Sequence, residues 1–369
     1  MTEPEASSPI DIEAAANRAT ARLLDYVGNS DATDEAAARF SEDVKVEGRG
    51  LASEARERAD AIGAAVERER TEHRAELARL WGRALDQYLA VAQLADETVS
   101  HVLERRQNQA RSSSSVVDPR LQVVAALQAR LSRVMTEVHA LASDGLPRGA
   151  LARARTGHEI SVFATLLSEH GAPDGDHPDL IQRFVDHARV QAYQDANTYQ
   201  TSGAGDLSDE LVRKFRHASE QAVTDHGKDF KGIYGWAAVL FQPHRRLQFP
   251  DLEDLAGLRH TRSFYKWANH DVHATARSLE LNTLVVGEDR VRYLTGRTLV
   301  GLAEPLSMAL HSQLQVMTAL LIGTGESENV VSLVTCTMLS EMVHNADDEL
   351  VAASARADST NDDLSTPSR

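Results

Sequence analysis

Tyr265, Asn269 and His273 stand four residues apart in the run from Tyr265 to His273. A helix of about 3.6 residues per turn lines up that phenol, amide and imidazole along one face. A polar row among apolar neighbours needs partners, and Arg155 and Glu159 offer them: they too are four apart and share a stripe with Leu151, Val162 and Leu166. At an exposed core margin such a pair is worth only about 0.3–0.5 kcal/mol. In a polar cavity the guanidinium orients an anion and the carboxylate serves as base or ligand, because buried charges persist only when paired. Two readings stay open: a hydrogen-bonded network that locks helix register, or a small-ligand pocket. In the second, His187 joins the lining and Trp236, in the turn Tyr234-Gly235-Trp236-Ala237, forms a wall.

Three other chemistries can be weighed. Arg153 and His158, or Arg155 with His273, carry the residue types of a metal-independent helical ribonuclease, with His as acid or base on the ribose hydroxyl and Arg on the phosphorane charge. Arg153 and His158 lie five apart, about 140° around a helix, so the reading needs a dimer that brings two sites together. His270 with His273, and Glu341 with His344, have metal-ligand spacing, but a di-iron bundle needs two Glu-x-x-His helices and two further Glu. No metal and no cofactor is expected. Gly323-Thr324-Gly325 lacks the Lys-Ser/Thr of a phosphate loop, there is no Gly-x-Ser-x-Gly elbow, and Cys336 lies in the apolar run Val330 to Met342.

Arg155, Thr156 and Glu159, taken with Tyr265, Lys266, Asn269, Val272 and His273, resemble a bacterial all-helical family, domain of unknown function 5677. Its pattern is Arg-Thr/Ser-x-x-Glu on one helix and Tyr-Arg/Lys-x-x-Ser/Asn-x-x-Val-His on a later one. The resemblance spans roughly residues 118 to 345 and implies that these two helices face each other. Lys266 and Asn269 stand where Arg and Ser are commoner. The family brings no activity, so the resemblance speaks to fold and site position.

The elements that must position these residues are helical. Apolar residues recur at three and four rather than two, and Ser, Gly, Pro and Asp clusters punctuate them, which predicts an all-α multi-helix bundle. Residues 1–40 are expected to be mostly disordered or weakly helical, 41–110 to form an acidic helical arm, 118–353 an all-helical core and 354–369 a disordered tail. The helix from about Ser53 to Arg106, one or two, should stop at the polar run Gln107 to Ser115. Val124, Leu127, Leu131, Val134, Val138 and Leu141 step 3, 4, 3, 4, 3, a seam read first as intramolecular, with dimerisation as the alternative. Pro147, Pro178, Ser208 and Pro250 mark helix starts, and apolar helices after Leu281, with Pro305 at a start or kink, close the core.

Composition bounds the rest. The 369 residues are 42% apolar and 25% charged, an ordinary globular balance. The formal charge of -16, from 55 Asp and Glu against 39 Lys and Arg, repels phosphate backbones and anionic membranes. Nucleic acid is therefore expected as a partner only under the ribonuclease alternative. One cysteine, no signal-like start and apolar segments interrupted short of 18 residues predict a cytoplasmic chain without a membrane span. The expected role is an intracellular binding and interaction module in bacterial stress or defence, recruiting a protein partner or itself through the arm.

Overall fold

The computed structural model describes residues 10–29, 33–113, 118–242, 246–273, 275–281, 283–286, 290–293, 296–324 and 330–365. The chain divides into two compact units, residues 1–76 and 77–369. In the first, α1 (Ile12–Asn29) and α2 (Thr33–Glu57) pack as a pair. Arg18 and Arg22 reach Glu47 at 2.7 and 3.0 Å, and the buried Ala15, Ala19 and Ala36 keep side chains small. The described residues up to residue 40, expected to be mostly disordered or weakly helical, lie almost wholly in these two helices, in keeping with alanine's leading helix propensity.

α3 (Ala59–Ser113) begins in the first unit and belongs to the second from Leu77. It runs through Gln107 to Ser113, where a linker was expected; Gln, Arg and Ala there are all good helix formers. In the second unit, α4 (Pro119–Ser143) and α5 (Pro147–His170) form a hairpin over a turn containing Gly145 at φ 71°, a left-handed conformation that favours glycine. The heptad-like seam is buried within the unit at Val124, Leu131, Val134 and Val138. Gly157 on α5 lets the helices close: a Cβ there would stand 3.1 Å from Leu131 Cδ1.

Next come α6 (Leu180–Thr201), α7 (Asp209–His226), two 3-10 turns (Lys228–Lys231 and Gly235–Leu240), α8 (Phe249–Leu255), α9 (Arg262–Val272) and α10 (Ala276–Leu281). Ser208 caps α7, its Oγ accepting from the Leu211 N–H at 3.3 Å. A hairpin of β1 (Thr283–Val286) and β2 (Arg290–Tyr293), with Thr283 opposite Tyr293, stands where helix was expected. Thr-Leu-Val-Val is rich in β-branched residues and too short to show a helical period. The fold remains all-α around this small insert.

α11 (Ala303–Thr318), extended by a π turn (Ala319–Gly323), packs on α5, α4 and α12 (Val330–Ser365). These 21 residues are apolar and long enough to cross a membrane, which corrects the expectation that no such segment exists; most of the helix is buried inside the unit. Trp81 Nε1 donates to the Leu299 carbonyl at 2.9 Å and the Tyr88 hydroxyl to that of Met135 at 3.1 Å, tying α3 to the rest. Arg120, held by Asp118, donates to the carbonyls of Ser168 (3.0 Å) and Gly323 (2.8 Å), so one guanidinium gathers the ends of three helices. α12 continues through 355–365, where a loose tail was expected. Its Ala346, Leu350, Ala353 and Ala357 are buried at helical spacing, and Arg356 donates to the Leu80 carbonyl at 2.9 Å.

Candidate functional site

α5 and α9 face each other, and three of the predicted residues meet there. The Tyr265 hydroxyl donates to Glu159 Oε1 at 2.9 Å and accepts from Arg155 Nη2 at 2.8 Å; the same Nη2 lies 2.9 Å from Glu159 Oε1. The guanidinium also sits 4.7 Å from the Tyr265 ring centre, within cation–π range. Burial first, with Glu159 adding to it, pushes the Tyr265 phenol up to about 12, so it stays protonated and acts as a donor. Arg155 and Glu159 are both partly buried, which makes this trio a lock between helices rather than a surface ion pair. Tyr265→Phe removes the bridging hydroxyl and is expected to cost about 1–2 kcal/mol in urea unfolding. A double-mutant cycle with Glu159→Gln should show coupling; strict additivity would mean the bond is not formed.

The other predicted members stand apart from the lock. Asn269 Oδ1 is buried and has no hydrogen-bond partner among the described residues, as is Arg155 Nε. His273 is the C-cap residue of α9 and is exposed, because the helix ends at Val272. Arg153 lies on the outer side of α5 in an ion pair with Glu137. The nuclease-like pairs, Arg153 with His158 and Arg155 with His273, are therefore not brought together.

His158 is deeply buried and turns toward a partner that sequence reading missed. Its Nε2 lies 2.9 Å from Oε1 of Glu253, which has 0% exposure, and Arg262 Nε donates to Oε2 of the same carboxylate at 2.6 Å. Burial, the largest influence, pushes the Glu253 carboxyl up, but the bonds from His158 and Arg262 together outweigh it and hold it below the ordinary carboxylate value. Phe249 stacks on Tyr265 at 4.7 Å and packs its ring on His158, joining this cluster to the lock. The signal in the sequence was faint: Glu253 is one acid in the short stretch Asp251 to Asp254 after Pro250.

On the other side of Glu159 a cavity of about 570 Å³ opens between α4, α5, α6 and the Gly235–Leu240 turn. Glu159, Thr156, His187 and Trp236 line it, so the wall expected from Trp236 is present; Arg155, Tyr265, Asn269 and His273 are not among its lining residues. Phe163 is the hub of its aromatic side, edge-on to Trp236 at 5.5 Å and near Phe184 and Tyr234. His187 Nε2 is 2.9 Å from the Gly232 carbonyl, and burial lowers its pKa, so it stays a neutral ring. The Tyr234 phenol is pushed up by burial and then by Glu159. Val185 and Ile233, exposed at 51% and 67%, form apolar lips.

His270 Nδ1 pairs with Thr275 Oγ1 at 2.8 Å, and His344 lies exposed beside Asp348. Among the described residues no group of three His, Cys, Asp or Glu side chains is placed to hold a metal ion. Gly323 closes the π turn after α11 and Thr324 is its C-cap, while Gly325 falls outside the described residues.

These features define an all-helical domain with a locked polar trio and an aromatic cavity beside it. Residues 121–290 match a family of unknown function, DUF5677, and over that span the chain resembles it. The match holds the lock, Glu253 and every cavity residue named above, and ends earlier than the expected residue 345. No curated protein and no solved structure matches the chain.

Proposed function

We propose that the core unit is a binding module for a small, largely apolar or aromatic molecule that carries a hydrogen-bond donor. What supports this reading is the position of Glu159: Oε1 is taken up by Tyr265 and Arg155, while the side chain also lines a cavity with aromatic walls and apolar lips. A cavity of 570 Å³ is of the size that holds such ligands; Gln122, Arg130 and Gln191 line it as well, and the fixed Glu159 acceptor beside the aromatic wall sets orientation. The lock fixes the carboxylate before a ligand arrives, which lowers the ordering cost of binding. In the same reading, the helical arm expected over residues 41–110 serves a protein partner or self-association, and the setting is bacterial stress or defence.

The neutral fluorophore N-phenyl-1-naphthylamine, an aromatic body with one N–H, is a direct probe. It is expected to bind one-to-one, and Ile233→Asp and Val185→Asp, both at exposed positions, are expected to weaken it at least about tenfold by charging the lips. Affinity unchanged in both variants would end this reading of the cavity.

A further inference from the structure

A second cavity, of about 550 Å³, lies between the first turns of α5, α9, α10 and the segment that leads into α11. It shares no lining residue with the first. Leu146, Leu151, Val300 and Pro305 supply an apolar floor, and Trp267, Arg148, Arg277 and the carboxylate of Glu304 stand around it. Trp267 comes two residues after Tyr265, about 200° further around the helix. α9 therefore presents Tyr265 to the lock and Trp267 to this cavity.

Trp267 is half exposed, unlike the buried Trp81 and Trp236, and Phe264 packs edge-on against it at 5.7 Å. An indole on the wall of a cavity is a stacking platform for a planar ring. Among the described lining residues two guanidinium groups stand against one carboxylate, in a chain whose formal charge is -16. Each guanidinium has five N–H donors in a planar fork, so a bond on one edge leaves another edge for a ligand anion. We propose that this cavity binds a small organic anion with a planar aromatic body, the ring against Trp267 and the anionic head between Arg148 and Arg277. Carboxylate and phosphate heads share this chemistry, and the test separates them.

8-Anilinonaphthalene-1-sulfonate, a planar aromatic anion, is the probe, titrated against the full chain by its own fluorescence. Trp267→Ala and the double variant Arg148→Gln/Arg277→Gln are each expected to weaken it about tenfold, with Trp267→Phe intermediate. The neutral N-phenyl-1-naphthylamine should hold its affinity in the arginine variant, which separates this site from the first cavity. Displacement by indole-3-carboxylate identifies a carboxylate head and displacement by adenosine monophosphate a phosphate head. Binding of the sulfonate that is unchanged in both the tryptophan and the arginine variants, or displacement by neither competitor, overturns the proposal. All the substituted side chains are at least partly exposed, and circular dichroism and melting check that each variant is folded.

Discussion

Glu253→Ala is expected to lower the unfolding free energy of the core unit by about 3–5 kcal/mol, measured by urea or thermal denaturation at pH 7. The carboxylate has 0% exposure, and without it the Arg262 guanidinium and the His158 imidazole lose the acceptor that both are turned toward. A buried pair broken on one side costs more than the pair contributes when whole, because the surviving partner remains desolvated. Glu253→Gln keeps an acceptor and should fall between. The effect also carries a pH signature. Glu253's folded pKa is depressed. A depressed carboxyl contributes stability that is full above its unfolded pKa, about 4.3, and is lost as pH falls through the lower folded value. The gap between wild type and Glu253→Ala should therefore be widest at neutral pH and close on acidification below about pH 4. A gap that stays constant into acid would refute a charged Glu253.

Gly235→Ala should be the other severe change. A Cβ at this position would stand 2.2 Å from the Phe230 carbonyl oxygen and 2.5 Å from its carbon, and both are backbone atoms with no rotamer to yield. The cost of forcing the turn apart is expected to be about 3 kcal/mol or more. Because Trp236 follows directly and walls the first cavity, binding of N-phenyl-1-naphthylamine should fall together with stability. A variant within about 0.5 kcal/mol of wild type, with its binding intact, would show that the turn adapts freely.

Much of the scaffold was legible in the sequence because local chemistry sets it. The step of 3 and 4 from Val124 to Leu141 is the buried seam, Pro147 opens α5 and Ser208 caps α7. Arg155, Glu159 and Tyr265 were legible as a meeting of two helices, since spacing at four marks a face and the motif resemblance pairs the faces. What was not legible depends on distant chain. His158 and Glu253 are 95 residues apart and nothing local announces their bond. His273 was placed on the face of α9 by counting, yet the helix stops one residue earlier. The β1–β2 hairpin hides in a four-residue apolar run, and residues 355–365 look like a tail by composition but continue a helix whose alanines pack through Ala357.

The core helix α11 lies wholly beyond residue 290, yet it is built into the family-matched stretch: Gln315 Nε2 donates to Thr165 Oγ1 at 3.1 Å, Ser312 abuts Gly157, and Gly323 completes the Arg120 clamp. Residues 121–290 taken alone are therefore expected not to melt as a self-sufficient unit, and an excised piece is expected to need the C-terminal helices to stand alone.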